Sequence, residues 1–464
     1  MPSESADQLT KRLIAAIPHA NAETLRTILD KLPPQGSAEA FEDLEPKAQS
    51  RVLNTLTADD MEPLLPHMPA PLADIVLQHY PQTDQADALE EMWDDELADF
   101  LQEVPEKNRS RYIGLLDAET KEAAEELLRY PEESAGGRMT KAFATVRADM
   151  TLEAAIQSLA EQKEDTEVLS RIYVLEDKQR IVGKVRLRDL TFNSPRSKIS
   201  DVMQPETVAI QAMADQEEAA NIMLKYDMIT LPVVNDSLAL IGVITHDDAM
   251  EILQEESTED LERQSGIAGQ QEEAGYLETS VISHFRRRFL WVLALAFLAI
   301  MSGYVIFSFE AVLDGWFMLA LYMPMVVASG GNTGAQAATT IIRAMSLGEF
   351  EPREFMPAIW KELRIGLTIG VMLGIFVALL TPVVIHLMPE NSAHSLDSST
   401  LAVIVACALV AQVTTSTFLG AALPILARAL NQDPAVVASP AITTVVDVTG
   451  LIIYFSLARV IIGI

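Results

Sequence analysis

The chain has 464 residues, 49% of them hydrophobic, and a formal net charge of −32, nearly all of it before Val281. An acidic half therefore precedes a nearly neutral apolar one, which disfavours nucleic acid and anionic lipid as partners and concentrates cations. The lone cysteine, Cys407, lies in an apolar run, which excludes a disulfide framework and a cysteine metal cluster; "MPSESADQLT" has no basic stretch leading into an apolar one, so no cleaved signal is expected.

Residues 1–130 read as one helix after another. Apolar residues recur at helical spacing in "ADQLTKRLIAAI", "AETLRTILDKL" and "DELADFLQEV", with Pro-bearing breaks such as "KLPPQGS" and "LLPHMPAP" between such runs. A small all-α domain is the expected result. In "WDDELADFLQE", Asp95 and Asp99 stand at i and i+4 on one face, where like charges repel unless something neutralises them.

From about 138 to 253 a pattern occurs twice. "GRMTKAFATVRADMTLEAAIQSL" is echoed by "SDVMQPETVAIQAMADQEEAANIML", and "RIYVLEDKQRIVGKVRLRDL" by "ITLPVVNDSLALIGVITHDDA". Each copy reads helix, strand, strand, helix. Two units of about 60 residues are too few for a solenoid and suit a paired module with an internal pseudo-twofold.

The segment "HDDAMEILQEESTEDLERQSG" follows, a helix on which Asp248, Glu251, Glu255, Glu256, Glu259 and Asp260 crowd one or two faces. No lysine stands between Asp247 and Leu261. An acidic cluster between a sensor-like repeat and a pore-like half points to cation-dependent packing, with a solvated surface as the plain alternative.

A hydrocarbon core needs about 20 apolar residues of helix. Five segments qualify: 289–309, 316–342, 365–388, 400–426 and 435–462. Arg286, Arg287 and Arg288 precede the first, and Arg343, Arg353, Lys361 and Arg364 surround the loop between the second and third. The loops around 310–314 and 389–399 contain no Lys or Arg, so the positive-inside rule puts the acidic half in the cytoplasm and the C-terminus outside. "ASGGNTGAQ" (328–336) is expected to interrupt the second span, which is tolerated where backbone is buried in protein or lines water. Gly366, Gly370 and Gly374 form a small-residue stripe suited to close helix approach.

The last span carries one aspartate. Pro440, Thr443, Thr444, Asp447 and Gly450 fall on one helix face, which cannot point at lipid. An ionised carboxylate at mid-bilayer costs about 2.5–3.5 kcal/mol, so it pairs, lines water or binds a cation. Arg459, twelve residues on, stands roughly 18 Å further along the helix and cannot pair with it. A ring of such carboxylates from several copies would make a cation filter, and hydroxyls and carbonyls of Thr443, Thr444 and Asn332 add the hard oxygen ligands that a hydrated Mg²⁺ suits. There is no HExxH, P-loop or G-x-S-x-G motif, so no catalytic constellation is on offer.

Taken together, "YPEESAGGRMT", "GVITHDDAMEILQEESTED", "GGNTGAQ", "GAALP" and "DPAVVASPAITTVVDVTG" resemble the MgtE magnesium channels over almost the full length. The resemblance implies a multidomain α-rich membrane protein. An all-α superhelical cytoplasmic domain (1–132) would precede tandem α/β CBS domains (133–197 and 198–255), a connecting plug helix (256–284) and a five-helix transmembrane pore domain (285–464). It further implies a homodimer in the lipid of a bacterial inner membrane, passing Mg²⁺ through a central pore. Asp447 matches the family's Mg²⁺-binding aspartate, Asn332 its pore-side loop, and Asp433 the aspartate that opens the last span. Asp95, Asp99, Glu217, Asp227, Asp248, Glu251, Glu256, Glu259 and Asp260 match acidic residues through which the family senses cytoplasmic Mg²⁺, and Glu255 lies among them. Bound Mg²⁺ would bridge these surfaces and close the pore. CBS domains of this kind also admit ATP or another adenosine nucleotide. The competing readings are a coupled carrier of divalent cations such as Co²⁺ or Ni²⁺, and a membrane-anchored CBS nucleotide sensor.

Overall fold

A computed structural model describes residues 11, 21–29, 31–162, 166, 168–176, 179–206, 208–267, 279–346, 349, 354–387, 397–430, 432–434 and 439–463. The expected first helix, "ADQLTKRLIAAI", lies outside the described residues apart from Lys11, as do residues 435–438 of the last expected span. The chain divides into two compact units, 1–255 and 256–464.

Short helices from Ala22–Leu29 to Ala118–Leu127 open the first unit. The prolines that read as breaks also start helices: Pro34, Pro46 and Pro71 lie in first turns, and Pro81 and Pro105 are N-caps. There the missing N–H would have had no intrahelical partner and the fixed φ suits the entering chain. Phe41, Met61, Leu77, Leu89, Leu97, Leu101 and Tyr112 are each at most 1% exposed and form the centre of this core. The Tyr112 hydroxyl donates to Asp74 Oδ1 at 2.6 Å and Asn108 Nδ2 to Asp74 Oδ2 at 2.9 Å, so the hydroxyl of the buried Tyr112 is satisfied. Helix α1 (Asp94–Glu103) serves two cores: Leu97 and Leu101 pack among the helices, while Ala98 packs with Leu127, Ala219, Ala220 and Ile252.

The tandem repeat forms two three-stranded sheets, β1 (Phe143–Arg147), β2 (Val168–Leu175), β3 (Ile181–Val185) and β4 (Ile210–Gln211), β5 (Thr230–Val234), β6 (Leu240–Thr245). In each, the first strand is parallel to the second and the second antiparallel to the third. The parallel pairs need a crossover, supplied by Leu152–Glu161 and by α2 (Gln216–Lys225). Each repeat thus opens on a strand absent from the expected order, because β4 has only two residues and β1 five, too few for alternation to show. The buried hydroxyls of Tyr173 and Thr230 meet at 2.8 Å and join the two repeats. Helix α3 (His246–Gln264) follows β6 without a break, so the expected start of a connecting helix at 256 falls inside a continuous one.

The second unit contains α4 (Val281–Ser308), a short helix Glu310–Gly315, α5 (Met318–Ser346), α6 (Phe355–His386), α7 (Ser398–Ala429) and α8 (Ser439–Ile462). Among the described residues, four helices, α4, α6, α7 and α8, are long and apolar enough to cross a membrane. The fifth expected span, α5, has 29 residues, but its glycine-rich polar segment dilutes its hydropathy. That segment does not interrupt the helix: α5 is continuous through 328–336. Gly330, Gly331 and Gly334 are buried and serve close packing, since a Cβ on Gly334 would lie 2.6 Å from Ser416 Oγ and one on Gly331 2.9 Å from Thr443 Cγ2. The stripe of α6 works likewise against α7, where a Cβ on Gly370 would approach the Val410 Cα to 3.0 Å and one on Gly374 the Ala406 carbonyl to 3.1 Å.

Candidate functional site

Within the second unit, α8 presents the polar face expected of it. Asp447 is half-buried, and among the described residues no ion-pair or hydrogen-bond partner reaches it. Thr443 and Thr444 are partly buried on the same helix, and Thr444 Oγ1 donates to the Pro440 carbonyl at 2.9 Å. Gly331 of α5 faces this surface, its virtual Cβ 3.6 Å from Asp447 Oδ1. Asn332, the next residue, is exposed in the single chain. The arrangement therefore sets the glycine-rich turn of α5 beside the carboxylate of α8, with no cationic side chain among the described residues paired to it.

A buried polar brace on α7, not foreseen from the sequence, holds these two helices. Gln412 is fully buried, and its Nε2 donates to the Val446 carbonyl at 2.9 Å. Its side chain fills the space against Gly330 of α5 and Gly450 of α8, neither of which could carry a Cβ there. One turn on, Ser416 Oγ donates to the Gly330 carbonyl. Tyr454 of α8 donates to the Leu319 carbonyl of α5 at 2.8 Å. Gln412, Ser416 and Gly420 recur every four residues inside an apolar run, a polar and small-residue stripe that could have been read as a helix contact.

Asp433 is ion-paired with Arg263, which also pairs with Glu259, and Arg287 pairs with Glu262. The lysine-free stretch is therefore not cation-free at its end. Burial pushes the Asp260 carboxyl up, the nearby Asp433 adds to this, and Arg263 opposes it.

Within the first unit, Asp95, Asp99, Asp248 and Glu251 gather where α1 meets the start of α3. Burial pushes Asp99 up to about 8, and Asp95, Asp248 and Glu251 add to the shift while Arg138 opposes it. Glu96 rises to about 7, again by burial first, with Asp95 and Asp248 contributing. Burial likewise raises Asp248, although it accepts hydrogen bonds from Thr245 N at 3.1 Å and Oγ1 at 2.6 Å. A cavity of about 210 Å³ beside α1 is lined by Glu62, His67, Glu91 and Glu96. Carboxylates packed together this way hold hard oxygen donors close to one another and raise the cost of keeping them all ionised, which suits a divalent cation such as Mg²⁺. Among the described residues, no group of three or more His, Cys, Asp or Glu side chains is arranged to hold an ion alone.

Glu217 and Asp227 are not brought together. Glu217 lies in the first turn of α2, its N–H donating to Asp215 Oδ1 at 2.8 Å, and Asp227 is exposed just beyond the other end with a φ of +49°. The helix between them spans roughly 15 Å. Glu255 accepts from Arg138, and Glu256 is partly buried on α3.

Residues 323–457 match the sequence model of a divalent cation transporter family, 32–133 that of the MgtE intracellular N domain, and 135–194 and 199–255 that of the CBS domain. Among known proteins, the chain is similar to the magnesium transporter MgtE of Thermus thermophilus, with 33% identity over 98% of each chain. It is also similar to the magnesium transporter MgtE of Bacillus subtilis, with 29% identity over 97% of each. The crystal structure of the soluble part of a magnesium transporter covers 55% of this chain and 100% of its own at a TM-score of 0.50 and 24% identity, a likeness of fold.

Proposed function

Because the chain belongs to the MgtE family of magnesium transporters, we propose that it is a Mg²⁺-selective channel for magnesium uptake, closed by cytoplasmic Mg²⁺ at acidic interfaces. The observation that carries the pore assignment is Asp447: a half-buried carboxylate on a membrane helix, beside Gly331, with no cationic partner among the described residues. An unpaired intramembrane acid is best accounted for by a passing cation. In this reading the chain is a homodimer, two copies of Asp447 face a shared axis, and Asn332, Thr443 and Thr444 add oxygen ligands to a hydrated ion.

The sensing half of the reading is supported by the crowding around Asp99. Residues 1–132 and the repeats at 133–197 and 198–255 would bind Mg²⁺, the segment 256–284 would transmit the state, and 285–464 would conduct. Asp95, Asp99, Asp248 and Glu251 would hold regulatory Mg²⁺ in the first unit, Glu256, Glu259 and Asp260 in the second, with Glu217 and Asp227 completing sites with other surfaces. The ion would cancel the repulsion that otherwise pushes such interfaces apart.

The protein is a multi-pass membrane protein, and we place it in a bacterial inner membrane with the acidic half in the cytoplasm. Arg286 to Arg288 open α4, Arg343 closes α5, Lys361 and Arg364 lie in the first turns of α6, and Arg428 closes α7. With five spans these groups all fall on one side, the cytoplasmic one by the positive-inside rule.

The test is single-channel recording from inside-out patches with Mg²⁺ as the only permeant cation and a Mg²⁺ titration on the cytoplasmic face. Unitary currents that shut as cytoplasmic Mg²⁺ rises are the expected result. Uptake without unitary currents would instead make Asp447 the coupling site of a carrier.

A further inference from the structure

The acidic interface of the first unit contains a cation of its own. Arg138 belongs to "SAGGRMT", and the backbone around it is tied down on both sides. Ala135 N donates to the Ala214 carbonyl at 2.8 Å and Gly136 N to the Ala212 carbonyl at 2.8 Å, while Thr140 and Val243 exchange backbone bonds at 2.8 and 3.0 Å. The guanidinium is accordingly held in place by short spans of fixed chain. Its side chain is 16% exposed; Nε donates to Gln216 Oε1 at 2.9 Å, and Nη2 pairs with Glu255. Gln216 is itself buried, with its N–H on the Glu133 carbonyl at 3.0 Å.

The field at Arg138 comes from carboxylates of three segments. Burial alone would make its charge harder to keep, but Asp99 of α1, Glu251 and Glu255 of α3, and Glu132 more than offset this. One fixed positive charge thus faces several acidic groups, with Glu255 bonded to it directly. It neutralises part of the cluster and leaves the rest for a mobile cation.

We propose that Arg138 is a resident counter-cation of the sensor, a positioning residue that keeps Asp99, Glu251 and Glu255 assembled when no Mg²⁺ is bound. A divalent ion then completes an interface already half-neutralised, and does not have to assemble it from repelling parts. This inference rests on the sensing role given to those carboxylates above, but concerns what holds them together before the metal arrives.

The experiment compares full-length wild type, Arg138→Met and Arg138→Lys in detergent, by limited proteolysis of the cytoplasmic part in chelator and in saturating Mg²⁺, and by calorimetric titration with Mg²⁺. Met keeps much of the side-chain volume without the charge; Lys keeps the charge without the guanidinium fork. Arg138→Met should be cleaved about tenfold faster or more than wild type in chelator, the scale of a lost charge-assisted hydrogen bond, and should return to wild-type resistance in Mg²⁺. Its Mg²⁺ isotherm should shift to higher concentration, since the ion must then also assemble carboxylates that repel one another, and Arg138→Lys should stay close to wild type in chelator. Equal cleavage of Arg138→Met and wild type in chelator would overturn the proposal. Faster cleavage that Mg²⁺ does not reverse would overturn it too, by making Arg138 a packing residue. A wild type that binds no Mg²⁺ at all would instead sink the sensing role itself, which the calorimetry reads separately from the chelator comparison.

Discussion

The side-chain amide of Gln412 donates to the backbone carbonyl of Val446 at 2.9 Å, one residue before Asp447. A fully buried amide in the middle of an apolar helix thereby fixes the carbonyl next to the one intramembrane carboxylate of α8. Gln412→Leu keeps similar bulk and deletes the bond, which in membrane proteins is worth about 0.6 to 1.7 kcal/mol. The expected outcome is a lowered thermal midpoint in detergent together with reduced Mg²⁺ flux into proteoliposomes. A loss of midpoint with unaltered flux would show that Asp447 keeps its position without this brace.

The same side chain predicts a compensating pair. A Cβ on Gly450 would come within 2.7 Å of Gln412 Cδ, so Gly450→Ala overpacks the contact at a cost of about 1–3 kcal/mol. Trimming the neighbour in Gly450→Ala/Gln412→Ala should restore part of that loss, read as the thermal midpoint of the double variant above that of the Gly450→Ala single. Purely additive effects would mean the two residues do not share the space.

Asp447→Asn should lower Mg²⁺ flux by more than about tenfold, because the amide keeps an oxygen ligand but loses the negative charge that draws a divalent ion into the pore. Oligomeric state on size exclusion should be unchanged, since Asp447 makes no hydrogen bond or ion pair among the described residues and Asn is nearly isosteric with it. Flux that persists with its selectivity intact would remove Asp447 from the pore.

Neutralising Asp248, Glu256 and Glu259 together should leave a channel less inhibited by cytoplasmic Mg²⁺, measured as a rightward shift of the inhibition curve in inside-out patches. Asp248 accepts from the Thr245 backbone and hydroxyl, so Asp248→Asn is the suitable change there: an amide oxygen still accepts while the charge is gone. An unshifted curve would assign the acidity of α3 to solvation.

Acid should weaken the N-terminal helices through Asp60. Burial alone would raise this carboxyl, but the Arg26 guanidinium, with Nε at 2.6 Å and Nη2 at 2.8 Å, and Thr57 outweigh it and hold the group below its ordinary 3.8. With the folded-state value depressed, the folded chain binds fewer protons than the unfolded one below pH 3.8, so the contribution is present above that pH and lost as pH falls through the folded value. Asp60→Asn should cost about 0.5–1 kcal/mol at neutral pH and flatten the acid-side fall in the thermal midpoint.

Much of the fold is legible locally. The helical runs before residue 130, the duplicated module, and the long apolar segments all announce themselves in windows of ten to twenty residues, the scale on which amphipathic periodicity and hydropathy work. Asp447 is legible for the same reason, since one helical turn shows the polar face and the cost of lipid forbids it any other orientation. The opening strand of each repeat escapes because β4 is two residues long and gains its identity from pairing with β5. The glycines of α5 read as a break, although inside a bundle their lack of a Cβ is what lets Gln412, Ser416 and Thr443 approach.

By itself, the sequence determined where charge and grease lie: an acidic half, a duplicated α/β module, long apolar helices and one carboxylate in the last of them. What the tertiary structure decided is which groups answer those charges. The stretch from Asp247 to Leu261 has no lysine, yet its helix is met by Arg138, 117 residues from Glu255, and Asp433 is met by Arg263 at a separation of 170. Helical spacing constrains only neighbours within a turn or two. Electrostatic partners drawn from distant segments depend on how the backbone is folded back. Only the folded chain can show that the carboxylates around Asp99 have a partial counter-charge while Asp447 has none among the described residues.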